Sequence, residues 1–400
     1  MSRTVSSAPP RPLRVCAFGA CYPDYPRNRM LLEGLRRSGA VVLECHASLW
    51  TGGTANRIRT AKGGWRSPAF LFRFLFVCLR LIWRHLRLPD YDVMLIRYPG
   101  MIDVLLGSLM AHLRGKPLVW DIFISTHLIT LERGLDRCAP FASRMLQIVE
   151  RRAGRLADRV LCITPEYGEW LSVNLGIHTG KLALLPMGPE DWFLALADQK
   201  EADGAELNVL YYGSVPNHGL PVILKAARLL ADDPSIRFTL IGESADMDAA
   251  KKSLRESPLS GVSILPRIGD AQLACQIEKA DICLGSFSKI PNSRLVVQHK
   301  TLECMAAGKA VITGDSRAAR SMLNPGTDIL VVERENAGAL ADAIRSLRRN
   351  PARIRSLGRC ARENIRKKYS LEIIGRELSE ILLETSNSFS GGGERPTKPA

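Results

Sequence analysis

Short apolar runs alternate with longer amphipathic stretches along nearly the whole of this 400-residue chain. The runs have the length of buried strands, and the stretches between them have helical periodicity. Strands that alternate with helices are typical of a parallel sheet covered on both faces. Because the pattern restarts after a linker at 191–206, we predict the α/β class, with two Rossmann-like, doubly wound domains facing a central cleft. The predicted strands lie at 13–18, 41–45, 92–96, 117–120, 159–163, 182–185, 207–212, 236–241, 262–265, 281–284, 310–313 and 328–332.

The two repeats are each long enough to bury a core, while both ends of the chain have the composition of disordered segments. We predict a disordered arm at 1–12, an N-terminal domain at 13–195, a C-terminal domain at 206–370, a final helix at 371–385 and a disordered tail at 386–400. Ligands of doubly wound sheets bind at the carboxyl ends of the strands, so we expect functional residues there and in the cleft.

The charge of the chain points to anionic partners. Its net charge is +15 and its pI is near 9.6, which fits a phosphate-bearing ligand or an anionic membrane surface. No helix-turn-helix, RNA-binding or zinc-finger pattern is present, so we predict no nucleic-acid partner. The ten cysteines contain no CxxC pair and residues 1–12 lack the apolar core of a signal peptide, which together predict a cytoplasmic location.

The segment 67–88, SPAFLFRFLFVCLRLIWRHLRL, is expected to form an amphipathic helix with a wide apolar face. A spanning helix is disfavoured because each central arginine would cost about 2.5–3.5 kcal/mol. We predict that the helix, at about 68–88, lies instead in the interface of the inner face of the plasma membrane. The alternative is a core-facing helix whose arginines face water. The predicted membrane contacts are Phe72, Arg73, Phe76, Arg80, Trp83, Arg84 and Arg87.

The stretch 296–315, VVQHKTLECMAAGKAVITGD, is predicted to form a turn, a short helix, a glycine stop and a buried strand. Lys300 and Glu303 share one face of that helix. A cation and free backbone N–H groups at a helix start suit a diphosphate, and a carboxylate one turn later can accept hydrogen bonds from ribose hydroxyls. The alternative is an ordinary surface ion pair between Lys300 and Glu303.

Eight segments together resemble the GT-B fold glycosyltransferases of the large retaining family four. Their order and spacing over about residues 13–383 carry the resemblance, which is strongest in the second half. In the second half the matching segments are YYGSVPNHGLPVILKAA (211–227), FTLIGES (238–244), ADICLGSF (280–287) and HKTLECMAAGKAVITGD (299–315). In the first half they are YPRNRMLLEGLRRSG (25–39), KPLVWDIFIS (116–125), ADRVLCITPEY (157–167) and LLPMGPEDWF (184–193).

The resemblance implies a donor site for a nucleotide-diphosphate sugar in the C-terminal domain. Glu303 matches the second Glu of the family's Glu-x7-Glu motif, and Leu295 stands at the position of the first Glu. Lys300 and Glu303 also fit the family's Pro-x-Lys-x-x-Glu version of the motif. In this chain Gln298 takes the place of the Pro. The family's phosphate-binding Arg and Lys fall on Ser214 and His218. Arg294, Lys300 and helix N-termini are therefore expected to carry the diphosphate charge. The implied donor-binding residues are Gly19, Gly213, Ser214, His218, Gly242, Arg294, Lys300 and Glu303.

The resemblance also implies an acceptor site in the N-terminal domain. Asp121 follows the strand at 117–120 and is expected to face the cleft as a catalytic residue that hydrogen-bonds a sugar or acceptor hydroxyl, the alternative being a helix N-cap. Gly19 would allow close approach of a ligand. Arg27 and Arg29 could hold a phosphate of a lipid-linked acceptor, or form a solvated basic turn.

The function that follows is transfer of a sugar from a nucleotide-diphosphate sugar to the hydroxyl of a lipid-linked or glycan acceptor. Surface glycan, exopolysaccharide or glycolipid assembly is the implied setting, and retention of anomeric configuration is implied by the family. Lys300 is expected to act catalytically by stabilising the departing diphosphate. No DxD-type pair is present, so we predict no metal and no cofactor besides the donor substrate. The alternatives are a catalytically impaired GT-B scaffold or accessory subunit and a GT-B sugar-nucleotide 2-epimerase.

Overall fold

Two six-stranded parallel sheets form the centre of the fold, and each predicted apolar run overlaps one of their strands, with ends that agree to within two residues. The computed structural model describes residues 11–49, 67–196, 206–213 and 218–390. The first sheet has the order β2-β1-β3-β4-β5-β6 and the second the order β12-β11-β10-β7-β8-β9, which confirms the predicted fold class. The strands are β1 Arg14–Gly19, β2 Val41–His46, β3 Val93–Ile96, β4 Leu118–Asp121, β5 Arg159–Cys162, β6 Leu182–Leu184, β7 Leu207–Tyr212, β8 Ile236–Ile241, β9 Val262–Leu265, β10 Ile282–Leu284, β11 Ala310–Gly314 and β12 Leu330–Val332.

Helices connect the strands. They are α1 Pro26–Arg37, α2 Pro68–Leu86, α3 Asp103–Leu113, α4 Thr126–Glu132, α5 Leu135–Cys138, α6 Pro140–Leu156, α7 Pro165–Leu175, α8 Asp191–Leu194, α9 Leu220–Leu229, α10 Ala245–Glu256, α11 Asp270–Lys279, α12 Pro291–Leu295, α13 His299–Ala306, α14 Arg317–Met322, α15 Ala337–Arg348, α16 Pro351–Lys368 and α17 Leu371–Ser390. Because helices cover both faces of a parallel sheet, its central strands are apolar on both sides; β3, for example, is buried along its whole length.

The strand order places one topological switch point in each sheet. In the first sheet the chain steps outward from β1 to β2 and then returns past β1 to β3. In the second sheet it steps from β7 to β8 and β9 and then returns past β7 to β10. Loops diverge above such reversals and leave space for ligands. The carboxyl ends of β1 and β3, and of β7 and β10, are therefore the places to look for functional side chains.

The described chain divides into two compact units whose bounds differ from the predicted domains. The first unit takes in the residues up to Cys162, the segment Leu171–Leu185 and the chain from Ile374 onward. The second unit takes in Ile163–Trp170 and Pro186–Ile373. The final helix, from Ile374 onward, thus belongs to the first unit, although it follows the second one in sequence.

The predicted ends of the ordered chain were partly wrong. Helix α17 continues to Ser390, so 386–390 is helical where we predicted a disordered tail. The polar composition hid side-chain anchors: Thr385 Oγ1 donates to the Ile381 carbonyl at 2.7 Å, and Ser386 Oγ donates to the Asp92 carbonyl at 3.2 Å. At the other end, Arg11 forms an ion pair with Asp92. The predicted disorder at 1–10 and 391–400 lies outside the described residues.

Helix α17 lies very close to α1. A Cβ built on Gly375 would overlap the carbonyl group of Gly34 and lie 2.6 Å from its Cα. Backbone atoms cannot yield as a flexible side chain can. We therefore expect Gly375→Ala to lower the free energy of unfolding of the first unit by about 1–3 kcal/mol.

Differential scanning calorimetry would measure this change as a lower Tm. The matched control is Gly338→Ala in α15, because an added Cβ there meets only Asn336 Oδ1 at 3.4 Å. The control should leave the Tm unchanged or slightly raised. Equal Tm values for the two variants would contradict a tight contact between the helices.

Candidate functional site

The local structure of the stretch 296–315 is confirmed. The helix α13 begins after Gln298, whose side chain does not cap it, so the first backbone N–H groups of α13 receive no side-chain cap. Gly308 has φ +70° beyond its end, and β11 follows. These elements bring Lys300 and Glu303 beside β7, at the switch point of the second sheet.

Lys300 is a buried cation whose ammonium group finds no hydrogen-bond acceptor among the described residues. Its side chain is 8% exposed, and Nζ lies 3.7 Å from the centroid of the Tyr211 ring. Burial lowers the pKa of Lys300 to about 7, although Cys304 and Glu303 act in the opposite direction. An ammonium group stripped of water in this way gains from an anion that reaches it.

Glu303 is held by other partners than Lys300. Tyr212 donates its hydroxyl to Glu303 Oε2 at 2.7 Å, and His299 Nδ1 lies 3.0 Å from Oε1. His299 in turn places Nε2 3.2 Å from the Gly188 carbonyl. The alternative of an ordinary Lys300–Glu303 ion pair is therefore wrong. The carboxylate is oriented, and each of its oxygens keeps a further lone pair for a ligand hydroxyl.

Two glycines keep the strand ends beside Lys300 free of side chains. A Cβ on Gly242, at φ +149°, would overlap the Gly213 carbonyl oxygen and lie 2.9 Å from its carbon. A Cβ on Gly213 would lie 3.6 Å from Lys300 Nζ. The predicted glycines therefore allow the ends of β7 and β8 to approach each other next to the lysine.

His218 lies close to this charge but is neutral. Its carbonyl accepts hydrogen bonds from Phe287 N at 2.9 Å and Ser286 Oγ at 3.2 Å, and its buried Nε2 has no partner among the described residues. Burial, together with the charges of Lys300 and Arg334, lowers the pKa of His218 to about 3. His218 can thus offer a phosphate a hydrogen bond but no positive charge. Ser214 lies outside the described residues.

Arg294 lines a neighbouring cavity that does not include the part of α13 with Lys300 and Glu303. The arginine is exposed on α12 and lines a cavity of about 560 Å³ that includes neither Lys300 nor Glu303. The other lining residues are Lys289, Asp315, Arg320, Val331, Val332, Glu333 and Arg334.

Sequence reasoning missed Arg334, a second buried cation of this region. Its guanidinium donates to five backbone carbonyls, which belong to Ser286, Ser288, Ser293, Gly314 and Asp315, at 2.6–3.2 Å. These carbonyls come from the loop after β10, from α12 and from the end of β11 with the residue that follows it, so Arg334 ties these segments together at the carboxyl end of the sheet. No local motif marks an arginine of this kind, because its acceptors are distant in sequence.

The roles predicted for Asp121 and Arg27 are wrong. Asp121 is the last residue of β4, and both side chains are fully buried at 0% exposure. Arg27 Nη2 donates to Asp121 Oδ1 at 2.9 Å and to the Leu185 carbonyl at 3.0 Å. A buried guanidinium neutralises the carboxylate, so Asp121 faces Arg27 and neither group is presented to a substrate. Arg29 is exposed, and its predicted contact with a phosphate stays a prediction.

The carboxyl end of β1 carries the remaining predicted residue of the first unit, Gly19. A Cβ there, at φ +126°, would lie 2.7 Å from Asp103 Oδ2, which accepts the Ala20 N–H at 2.9 Å. Burial raises the pKa of Asp103 to about 7. Next to it in the sheet, Arg97 follows β3 and is buried, and its Nε and Nη2 have no acceptor within the described ranges of the chain. Sequence reasoning missed both Asp103 and Arg97.

Helix α2 confirms the predicted amphipathic helix. Val77, Leu81 and His85 are buried against the unit, whereas most of the apolar side chains are exposed; Phe72, for example, is 75% exposed. One predicted lipid contact is wrong, because Arg84 is half-buried and donates to the His46 carbonyl. The exposed apolar side chains are Leu71, Phe72, Leu75, Phe76, Leu79, Trp83 and Leu86. No helix in the described part of the chain is long and apolar enough to cross a membrane.

Comparison with known proteins agrees with this architecture. A sequence profile described as "Glycosyl transferase 4-like domain" matches residues 13–188, and one described as "Glycosyl transferases group 1" matches residues 206–350. Among solved structures, sucrose-phosphate synthase from Thermosynechococcus elongatus is similar with a TM-score of 0.70 at 18% identity, covering 94% of this chain and 100% of the other. Anabaena HepE in complex with UDP has a TM-score of 0.67 at 13% identity, with coverage of 94% and 100%.

One curated relative is similar in sequence over part of its length. It is the GDP-mannose-dependent monoacylated alpha-(1-6)-phosphatidylinositol monomannoside mannosyltransferase of Corynebacterium glutamicum, 26% identical over 175 residues. The match spans 42% of this chain and 44% of that relative. Together with the fold and both profiles, it identifies the chain as a member of the group-1 GT-B glycosyltransferases.

The buried Arg27–Asp121 pair makes a testable prediction about stability. Removing one partner leaves an uncompensated buried charge, so we expect Asp121→Leu to lower the free energy of unfolding by about 3–5 kcal/mol. The double variant Arg27→Met/Asp121→Leu removes both charges and should recover much of that loss. Chemical denaturation of the two variants measures the difference. If the double variant is no more stable than Asp121→Leu, the charges of Arg27 and Asp121 do not compensate each other.

Proposed function

We propose that this protein transfers a glycosyl group from a nucleotide-diphosphate sugar to an acceptor hydroxyl, with the donor bound in the second unit. The single observation that carries the proposal is Lys300, a buried ammonium without an acceptor in the part of the chain that the structure describes, beside the oriented carboxylate of Glu303. A diphosphate supplies the missing anion, and ribose hydroxyls can donate to the carboxylate. HepE structures in complex with UDP and with UDP-glucose support a donor of this class.

Leaving-group charge is the main barrier in such a reaction. Lys300 and the first backbone N–H groups of α13 would stabilise the negative charge that develops on the departing diphosphate. His218 would add a neutral donor. We propose a metal-independent transfer with retention of configuration, in keeping with the resemblance to retaining relatives.

The setting of the reaction is proposed to be the cytoplasmic face of a membrane, in the assembly of a surface glycan, exopolysaccharide or glycolipid. The exposed apolar face of α2 and its arginines, Arg80 and Arg87, fit an anionic lipid surface. The mannosyltransferase relative is described as acting on a phosphatidylinositol mannoside, which favours an acceptor that is itself linked to a lipid. A membrane-bound enzyme gains direct access to such an acceptor.

A donor screen tests the donor site. One uridine or guanosine diphosphate sugar should raise the Tm of the purified protein, and Glu303→Ala should remove that rise because ribose loses its acceptor. The control is Glu278→Ala, an exposed carboxylate on α11 in the same unit. A rise that persists in Glu303→Ala would place the donor elsewhere.

The same screen, repeated with membrane extract, tests activity. Release of nucleoside diphosphate together with a glycosylated product supports the transferase. Silence with every donor would favour the scaffold, and inversion at C2 of the free nucleotide sugar would favour the epimerase.

The pKa of Lys300 predicts how donor affinity depends on pH. Free Lys300 loses its proton near pH 7, whereas a bound diphosphate would hold the proton to higher pH. Affinity should therefore be greatest below pH 7 and fall as the pH rises, by at most about tenfold per pH unit. UDP-glucose and GDP-mannose suit the measurement because their phosphodiesters do not titrate between pH 6 and 8.5.

Calorimetric titration of both sugars over that range gives the slope. Lys300→Arg should bind with little pH dependence because arginine stays charged. Lys300→Met should bind weakly at every pH. If the affinity of wild type for the donor does not change with pH, the charge of Lys300 does not contribute to binding the diphosphate.

A further inference from the structure

Three helices of the first unit, α2, α3 and α6, lie on the same face of its sheet. The crossovers from β2 to β3, from β3 to β4 and from β4 to β5 all step in one direction along the sheet. Right-handed crossovers therefore place these helices on one side and α1 on the other. Helix α3 packs against α2 and against α6, so the three form one continuous layer.

The outer surface of this layer is apolar well beyond α2. On α3, the side chains Leu105, Leu109 and Leu113 are exposed at intervals of four residues, and Leu113 is 68% exposed. Residues at this spacing share one face of a helix. They form a second apolar stripe next to that of α2.

Helix α6 adds a third stripe. Phe141, Met145 and Ile148 are exposed at helical spacing, and Phe141 is 72% exposed. Large apolar side chains that are scattered singly need no explanation, but a contiguous face made by three neighbouring helices marks an interaction surface.

The charges around these stripes identify the partner. Helix α2 contains no Asp or Glu, α3 contains only Asp103, and α6 contains only Glu150. Neither carboxylate is presented on the outer face: Asp103 accepts the Ala20 N–H, and Glu150 is buried and accepts hydrogen bonds from Ser125 Oγ and Thr126 N. The exposed charges of the layer are those of Arg80, Arg144, Arg151, Arg152 and Arg155.

We propose that α2, α3 and α6 together form one surface that inserts into an anionic lipid leaflet. The inference rests on the proposed membrane association of α2 and extends it to two helices with no predicted membrane role. Apolar side chains would enter the acyl region while the arginines contact lipid phosphates. A second copy of this chain fits the surface poorly, because α2, α3 and α6 themselves carry exposed arginines and no exposed carboxylate, so self-association would bring like charges together.

The course of α3 connects this surface with the ligand edge of the sheet. Helix α3 begins at Asp103, beside Gly19 and the carboxyl end of β1, and its exposed leucines continue from there to Leu113. An acceptor anchored in the leaflet would therefore meet the unit along α3, with its head group near the strand ends. The surface thereby selects an acceptor carried on a lipid over a soluble glycan.

Flotation of the full-length protein with vesicles of phosphatidylcholine containing 30% phosphatidylglycerol tests the proposal. The variant Leu109→Gln/Phe141→Gln/Met145→Gln leaves α2 intact and should bind about tenfold more weakly, or worse, than wild type. A companion variant, Phe72→Gln/Phe76→Gln/Trp83→Gln, should be weakened similarly. The control Val41→Gln/Leu229→Gln/Leu383→Gln exchanges exposed apolar residues elsewhere and should bind as wild type does.

If the variant Leu109→Gln/Phe141→Gln/Met145→Gln binds the vesicles as wild type does, the three-helix surface is overturned and α2 alone contacts the lipid. A change from dimer to monomer in that variant, seen by light scattering, would identify a second copy as the occupant and overturn the proposal. Equal binding to vesicles of pure phosphatidylcholine would overturn the role of the anionic lipid. Arg144→Gln/Arg152→Gln/Arg155→Gln, which spares Arg151 because its guanidinium donates to the Asn174 carbonyl, should weaken binding to the anionic vesicles only.

The thermal shift caused by UDP-glucose or GDP-mannose separates this inference from the proposed catalytic function. Each variant should keep the wild-type shift, which also shows that it is folded. If no donor shifts any form while the flotation pattern holds, the donor proposal fails and the lipid surface stands. If the donor shifts persist and the flotation pattern fails, the lipid surface falls alone.

Discussion

Buried positive charge organises the candidate donor site: carbonyl groups satisfy it at Arg334 and Arg362, whereas Lys300 has no acceptor among the described residues. The guanidinium of Arg334 donates hydrogen bonds to five backbone carbonyls and so ties the segment after β10 to the end of β11. Arg362 donates to the Ala306 and Ala307 carbonyls and anchors the end of α13 in the same way. Lys300, carried by α13, has no such acceptor among the described residues. Its ammonium group is thus a buried charge that an anionic ligand would stabilise, and preorganised charge of this kind can stabilise a leaving group.

Much of the donor region follows from local sequence. The turn, helix, glycine stop and strand of 296–315 were predictable because capping, periodicity and chain reversal are decided within a few residues. The partners of Glu303 were not, since Tyr212 lies 91 residues away and reaches the carboxylate only through the order of the strands. Asp121 was misread for the same reason. Its position at a strand end suggested a ligand contact, but Arg27, 94 residues earlier, neutralises it.

The exposed helix faces of the first unit show a second limit of prediction from sequence. The width of the apolar face on α2 exceeded what one sheet can cover, so an interaction surface was predictable there. The leucines of α3 and the apolar residues of α6 have the same spacing as residues of a buried helix. Only the layer formed by right-handed crossovers decides which of those side chains face the sheet and which face outward. The spacing of apolar residues predicts an apolar stripe on α3 and on α6, and the topology of the sheet decides which side chains face outward.

The closed ion pair between Arg27 and Asp121 has a practical consequence for enzymology on this fold. Substitution of either residue would reduce the amount of native protein in a preparation. Turnover normalised to total protein would then fall, and the loss could be mistaken for removal of a general acid. Rates normalised to the concentration of competent sites, obtained by titration with a tight-binding donor analogue, would separate the two causes.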